Sequence, residues 1–529
     1  MRYKYFFALF FITTLILQKP NLVFASTPCV HVKNTSTTIQ TFCTDTDTNP
    51  IQHAINFAHE HNYPIVTLDP GQFPIKTPIL NTATTLYSPF NAGVGVYIPS
   101  NITVIGSRDP EQPTIIYVDA SIAPIDVMIY VADHPTDLDA TLHDTTVSYL
   151  ELHGSTNGVR KSVVGLWAGQ ANKNITLSHL NIHDIGTGLI AGRYGQYNLD
   201  PATGNGKTFP FSGSPSSYLR ISANHIHSFT GDGIAVMGGS YVEVDNNIIA
   251  DAPTNSNAIT GFVSVHHLWI RNNTISNTYV GIGLDGSFPI YFTSPPTTSI
   301  FTLQDQAGIG NETGFGYESL ILNNTITGGT DGIRLWRQHH TNVVGNLVEH
   351  MTGTGISISE SRDNYAGGNH IKNTSIGLDV YSTGRSLVGS RYNGIGMYTK
   401  NGAAIALGNN FVNTATGVRL LGVPDTLVSE NTVVNNCFTN LVIDDRGVNN
   451  AIGSNLQGSC LSLPQLPDLA PLIKKRGDAT GDILVNNLDY AIWKTNYSNN
   501  LIGTTYGDFN ENGWIDGKDY VIWVTNYGL

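Results

Sequence analysis

Apolar and polar positions along this chain alternate in a repeated unit. From Glu318 to Thr383 the sequence reads ESLILNNTITGGTDGIRLWRQ, then HHTNVVGNLVEHMTGTGISISES, then RDNYAGGNHIKNTSIGLDVYST. Each segment holds a strand of alternating apolar residues, an Asn-centred turn, a second short strand, a Gly-rich turn and a third strand of the form Gly-apolar-x-apolar-x. Asn324, Asn346 and Asn369 fall at the same place in successive units, 22 and 23 residues apart. Self-similarity at that period predicts an all-β solenoid in which each coil buries its neighbour. Related units run from Thr145 to Asp445, with a period that varies with turn length. The asparagines read as scaffold: at a tight turn Asn tolerates a left-handed backbone and hydrogen-bonds along the stack.

Ahead of the coils the period changes. Asn49-Pro50-Ile51-Gln52 offers an N-cap, a proline at the first helical position and a Gln three residues after the cap. Ile51, Ala54, Ile55 and Ala58 then recur at helical spacing, which predicts a short amphipathic helix ending near Asn62. Two strand patterns follow, YPIVTLDPGQFPI and VYIPSNITVIGS. With the helix, Pro70-Gly71 and Ile105-Gly106, they resemble the opening of the pectin-lyase-like family of right-handed parallel β-helices. That resemblance implies a helix covering the first coil, whose unpaired edge would otherwise recruit other chains. It also implies carbohydrate chemistry, since the family is mostly polysaccharide lyases, hydrolases and uronate epimerases. The polygalacturonase motifs are missing, because Gly231-Asp232-Gly233 holds one acid where that family has two. Asp200-Pro201 is similar to the Asp-Pro of the alginate epimerases, but Ala202 stands where a His would follow.

Composition supports a large core. Of 529 residues, 40% are hydrophobic and 13% charged, and the 54 glycines suit a chain that turns several times per coil. A formal net charge of −13 argues against nucleic acid and anionic membranes as partners. Residues 1–25 read as a cleaved secretory signal, with Arg2 and Lys4 ahead of an apolar run and Val23-Phe24-Ala25 before Ser26; an uncleaved anchor is the alternative. No later stretch could span a bilayer, so the mature chain is expected to be extracellular, secreted or on the cell surface, and monomeric. Four cysteines then suggest two disulfides; sequence proximity favours Cys29–Cys43 and Cys437–Cys460 among three connectivities.

Four segments are expected: the signal (1–25), a β-helix domain (26–460), a Pro-containing linker (461–476) and a C-terminal module (477–529). The module holds two copies of one pattern, DYAIWKTNY and DYVIWVTNY, each after an acidic loop. Asp508, Asn510, Asn512, Gly513, Asp516 and Asp519 fall at positions 1, 3, 5, 6, 9 and 12 of a twelve-residue, EF-hand-like calcium loop, with Trp514 offering its backbone carbonyl. The first copy places Asp478, Thr480, Asp482, Asn486 and Asp489 in register, but Ile483 replaces the glycine, so weaker Ca2+ binding is expected there. Two such loops, each followed by a short helix, resemble a type I dockerin, which implies calcium-dependent docking on a cohesin-type scaffold protein. Trp493 and Trp523 depart from that family. The alternative is a self-contained calcium-stapled tail whose tryptophans pack on each other.

Candidate chemistry comes from the outward positions of the third strand of each unit. With Ile333, Ile356, Leu378, Leu335, Ile358 and Val380 inward, the outward set is Gly283 and Asp285, Arg334 and Trp336, Ser357 and Ser359, Asp379 and Tyr381. Arg337, His339, His340 and Glu360 lie just past these strands. Trp336, Tyr381, Asp285 and His339 suit polysaccharide binding, because aromatic faces stack on sugars while charged groups bond hydroxyls. For catalysis the candidates are Asp379, Glu360, Arg334 and Arg337. Asp285 and Asp379 stand three coils apart, roughly 14 Å, beyond the ~6.5–9.5 Å of an inverting pair. Asp379 with Glu360 is the remaining carboxylate couple for a hydrolase. An eliminase needs one base and a cation, for which Arg334, Arg337, His339 and Tyr381 are available. The bland reading makes Arg337 and Glu360 a salt bridge between coils, His340 a turn residue and Asp232 a turn acid serving the backbone. Residues 193–216 and 288–317 interrupt the period after Gly-apolar strands, so both are expected to project from one edge and wall a groove. Two functions follow: cleavage or modification of a polysaccharide as a lyase or glycoside hydrolase, or glycan binding by a rigid cell-surface spacer anchored through its tail.

Overall fold

The computed structural model describes residues 27–78, 93–133, 141–169, 171–192, 197–199, 206–208, 217–237, 240–252, 256–262, 265–285, 316–336, 338–359, 361, 364–381, 404–407, 410–412, 414, 416–421, 427–429, 432–434, 441–443, 451–452, 456–458, 479, 485, 487–497, 506–507, 509, 515 and 517–526. The signal segment, Cys437 and Cys460 therefore lie outside the described residues. Among the described residues no helix is long and apolar enough to cross a membrane.

Each coil contributes a strand to three parallel ladders. Ladder A runs in register through Val66, Val104, Val147, Leu177, Ile221, Val244, Ile270, Ile321, Val343 and Ala366. Ladder B carries Ile116, Leu152, Ile182, Ile226, Ile249, Ile275, Ile326, Val348 and Ile371. Ladder C carries Ile129, Leu166, Leu189, Ile234, Ile259, Ile282, Ile333, Ile356, Leu378 and Val418. All these residues are buried in one continuous core. Alternate residues of each strand enter the core because side chains alternate faces with period two. Thr274–Asp285 and Thr325–Trp336 each run without a break from ladder B into ladder C.

The turn from ladder A to ladder B is held by buried asparagines. The side-chain amide of Asn224 donates to Asn247 Oδ1, and the relay continues through Asn273, Asn324, Asn346 and Asn369 at 2.9–3.0 Å. The left-handed backbone, however, belongs to the residue before each of them: Ala223, Asn246, Asn272, Asn323, Gly345 and Gly368 have φ between 53° and 63°. The expectation placed both properties on one asparagine. The structure divides them, one residue making the corner and the next filling it. At the B-to-C corner glycine is required by contact. A Cβ on Gly281 would sit 2.6 Å from the Gly332 carbonyl oxygen, and one on Gly332 2.5 Å from that of Gly355.

At the N-terminus, Cys29–Asn34 pairs antiparallel with Thr37–Cys43 and with Ile65–Leu68, and Cys29 is disulfide-bonded to its register partner Cys43. Helix α1, Pro50–Glu60, buries Ile51, Ala54, Ile55 and Ala58, as the spacing predicts. The expected cap does not form: Asn49 makes no side-chain cap bond, and its backbone N–H donates instead to Asp47 Oδ1 at 2.8 Å. Gln52 is drawn off the helix end to the edge of the sheet. Its Oε1 accepts from Tyr97 N at 2.8 Å and its Nε2 donates to Tyr97 O at 3.1 Å, so one amide satisfies both backbone groups of an edge-strand residue.

Candidate functional site

Ladder C presents two outward rows. The first passes through Tyr97, Tyr130, Trp167, Ile190, Ala235, Thr260, Gly283, Arg334, Ser357, Asp379 and Arg419. The second includes Asp285, Trp336 and Ser359. Aromatic and aliphatic residues fill the N-terminal end, where Tyr130 packs edge-on against Trp167 at 6.0 Å and burial pushes both Tyr97 and Tyr130 up from the usual phenol range. Charge begins after Gly283.

Gly283 interrupts the row. Unlike the corner glycines it has room: among the described residues a Cβ there would meet Val280 Cγ1 alone, at 3.8 Å. A side-chain-sized notch therefore opens between Thr260 and Arg334, strands two steps and about 9.6 Å apart. Asp285 stands two residues along the same face, and Trp336 is its register partner on the next coil. Arg334 is half-buried; its Nη2 donates to Asp331 Oδ2, and its guanidinium lies 5.9 Å from the centroid of the Tyr279 ring. Burial works against the charge on Arg334, but the Asp331 and Tyr279 contacts outweigh it and raise the pKa. Asp331 is fixed in turn by the backbone N–H of Thr354, at 2.9 Å.

Asp379 is almost fully buried and paired in two places with Arg419, whose Nε donates to Oδ1 at 2.9 Å and whose Nη2 donates to Oδ2. Arg419 is not among the expected site residues, although it stands opposite Asp379 on the next coil. Asp232 is a turn acid bonded to the backbone and side chain of Asn257. Burial raises its pKa, partly offset by Thr260 and Asn257, and Thr260 Oγ1 donates to its Oδ1 at 3.1 Å. Of the other candidates, Tyr381 stands on ladder C and His339 ends a short strand of ladder A, paired with Tyr317. Arg337 and Glu360 lie outside the described residues. The strands flanking both long insertions leave ladder C, at Gly192 and Asp285, and return on ladder A, at Ser217 and Gly316. Of the first insertion, Tyr197–Leu199 and Gly206–Thr208 form an antiparallel pair; residues 286–315 lie outside the described residues.

In the C-terminal segment, equivalent positions of the two acidic loops are treated alike. Position 2 (Ala479, Phe509), position 8 (Val485, Ile515) and position 12 (Asp489, Asp519) are all buried, the two aspartates at 0% exposure. Asp489 Oδ1 accepts from the backbone N–H of Ala479 at 2.8 Å, so the last loop residue closes on the second. The helices Asn487–Asn496 and Gly517–Asn526 share a cluster in which Tyr490 lies against Trp523 at 4.9 Å and Trp493 against Tyr520 at 5.2 Å. The other loop ligands lie outside the described residues.

A family model described as "right handed beta helix region" matches residues 164–295. A second, described as "periplasmic copper-binding protein (NosD)", matches residues 302–389. No curated protein matches. Among solved structures, the chain is similar to the A-module of mannuronan C-5 epimerase AlgE6 from Azotobacter vinelandii, at 13% identity and a TM-score of 0.54, covering 78% of this chain and 95% of that one. The AlgE4 A-module of the same organism gives 14%, a TM-score of 0.48 and coverages of 78% and 93%. The tailspike protein of E. coli bacteriophage HK620, in complex with a hexasaccharide, gives 12%, 0.47, and 80% and 77%. What is shared is the fold: a right-handed parallel β-helix. Among the described residues, the group of three ligand atoms close enough to hold an ion is His153, His183 and Asp184, outside residues 302–389.

Proposed function

We propose that this is an exported, carbohydrate-active protein that modifies a polysaccharide lying along ladder C, across the notch at Gly283. The observation that carries the reading is that notch: an outward glycine with open space before it, bordered by Arg334, Asp285 and Trp336. A sugar ring there has an indole face to stack on and a carboxylate and a guanidinium for its hydroxyl or carboxyl groups. The epimerase module with which the chain shares its fold acts, by its name, on a polyuronate. In this reading Trp336 and Asp285 bind the chain, and Arg334 exchanges Asp331 for the carboxylate of an acidic sugar. Hydrolysis by Asp379 and Glu360 would require Asp379 to leave Arg419. The geometry therefore favours removal of a proton beside a uronate carboxylate that Arg334 neutralises. Tyr381, His339, Arg337 and Glu360 are the proposed proton-transfer and substrate-binding neighbours. Asp379 keeps Arg419 in the row. Helix α1 closes the first coil through Gln52. The reading is tested by offering the protein a panel of uronate-containing and neutral polysaccharides; binding without any change in the polymer would leave the spacer function instead.

The tail is proposed to bind Ca2+ through Asp508, Asn510, Asn512, the Trp514 carbonyl, Asp516 and Asp519, and more weakly through Asp478, Thr480, Asp482 and Asp489, and so to dock on a cohesin-type scaffold. Two wholly buried aspartates at the matched twelfth positions support it, since the last position of such a loop supplies a carboxylate ligand. Calorimetric titration of the whole protein with CaCl2 is expected to show at least one site that disappears in Asp508→Ala/Asp519→Ala. At 100 times Kd, calcium should add about 2.7 kcal/mol to the stability of the module. Unchanged binding heat in the double variant would remove these ligands from the account.

A further inference from the structure

On ladder B, away from the notch, three coils stack imidazoles. Register places His153, His183 and His227 in one row and Glu151, Asn181 and His225 in the next. The His153 and His183 rings are 4.6 Å apart, those of His183 and His227 4.8 Å apart and parallel to within 3°, and those of His225 and His227 4.6 Å apart. Imidazoles at strand spacing cannot all be protonated. Burial, and then the charge of His183, lower the pKa values of His153, His225 and His227. Burial opposes charge on His183 as well, but hydrogen bonds to Glu151 and Asp184 outweigh it and raise that pKa.

A carboxylate is folded into this stack. In an extended strand Asp184 would face away from His183. Instead it has φ of 55°, a left-handed turn that brings its side chain back over the ring before it. Asp184 Oδ2 is 2.7 Å from His183 Nδ1 and 3.3 Å from His153 Nε2, so one oxygen lies between imidazoles of adjacent coils. The three residues offer ligand atoms within 4.8 Å of one another. Bonds of about 2.0–2.2 Å to a central ion need ligand atoms some 3–4 Å apart, within reach of small side-chain rotations. Behind His183, Glu151 Oε1 stands 3.4 Å from Nε2, and Glu151 Oε2 accepts from Asn181 Nδ2 at 3.2 Å. That is the outer carboxylate that fixes a metal-binding histidine and leaves Nδ1, on the Asp184 side, as the nitrogen that would bind. Asp184 and His153 are 43% and 38% exposed, which leaves the outer side open to ion and water.

We propose that His153, His183 and Asp184 bind one first-row divalent transition-metal ion, with Glu151 as the positioning residue, and hold Cu2+ more tightly than Zn2+. Two imidazoles with one carboxylate suit such ions, and Cu2+ heads the stability order; Ca2+ and Mg2+, which want oxygen ligands, are not competitors.

The test uses full-length protein stripped with EDTA, dialysed into excess Ca2+ to satisfy the acidic loops, and titrated calorimetrically with CuCl2 and with ZnCl2. One site per chain is expected. His153→Gln and His183→Gln should each weaken it about 100-fold, and Glu151→Gln about 10- to 100-fold. His225→Gln should change it less than about threefold. The electron paramagnetic resonance spectrum of the Cu2+-loaded wild-type protein should carry hyperfine splitting from two imidazole nitrogens; this readout stands even if a variant fails to fold. Absence of a stoichiometric site, affinity indifferent to both histidine variants, or a spectrum without two nitrogen ligands would overturn the proposal.

Discussion

Replacing Asn324 with leucine is expected to cost about 3–5 kcal/mol of stability. The side chains are similar in size, so no large cavity forms, and the loss is one of hydrogen bonding. Asn324 is completely buried. Its Oδ1 accepts from both the backbone N–H and the side-chain amide of Asn273, at 3.0 and 2.9 Å. Its amide donates to the Ile270 carbonyl at 2.9 Å and to Asn346 Oδ1 at 3.0 Å. Leucine strands the Asn273 N–H and the Ile270 carbonyl in a dry interior, at about 1–3 kcal/mol for each orphaned group. It also breaks the relay in its middle. Asn323→Gly is the matched control. That residue carries the left-handed backbone, at φ of 53°, which glycine adopts without strain, so its effect should stay within about 0.5 kcal/mol. Urea unfolding of both variants measures the difference. Equal stability would mean that the stacked amides contribute nothing net.

Gly283→Trp should abolish polysaccharide modification, by at least about 100-fold in kcat/KM, while leaving the fold intact. The Cβ enters open space, and a side chain on an outward strand position removes the entropic weakness of glycine. An indole there fills the gap between Thr260 and Arg334 that a sugar ring would occupy. A corner glycine gives the opposite result: Gly332→Trp should fail to fold, because its Cβ already meets Val348 Cγ1 at 2.4 Å. Full activity in a folded Gly283→Trp variant would place the substrate elsewhere.

Much of the architecture was legible because it is one-dimensional. Period-two alternation, repeated about every 22 residues, put Ile333, Ile356 and Leu378 inward, and all three are buried. The outward rows followed from the same register. Four features escaped. Thr37–Cys43 is a strand held by backbone pairing and a disulfide, with mostly exposed side chains and so no apolar alternation to read. Arg419 and Asp379 are neighbours in space but 40 residues apart, because an insertion lengthens the coil between them. The histidines of ladder B are 30 and 44 residues apart for the same reason. Their shared signal, an apolar residue then histidine in NIHDI and HIHSF, shows only when the coils are aligned. Register put Gly283 among the outward positions, but the space in front of its Cα shows only in the structure.

The central claim is that the surface around Gly283 acts on a polysaccharide. It is tested most directly by incubating the wild-type protein with alginate, pectate and other uronate polymers and with neutral glucans, in deuterated buffer. Ultraviolet absorbance for unsaturated ends, reducing-end titration and proton resonance of the polymer are followed together. The account predicts a change in a uronate polymer, either unsaturated products or deuterium at the carbon beside the carboxylate, and none in the Gly283→Trp variant. New reducing ends on a neutral glucan, with no unsaturation and no exchange, would contradict the proton-abstraction reading. No change in any polymer would contradict the claim itself.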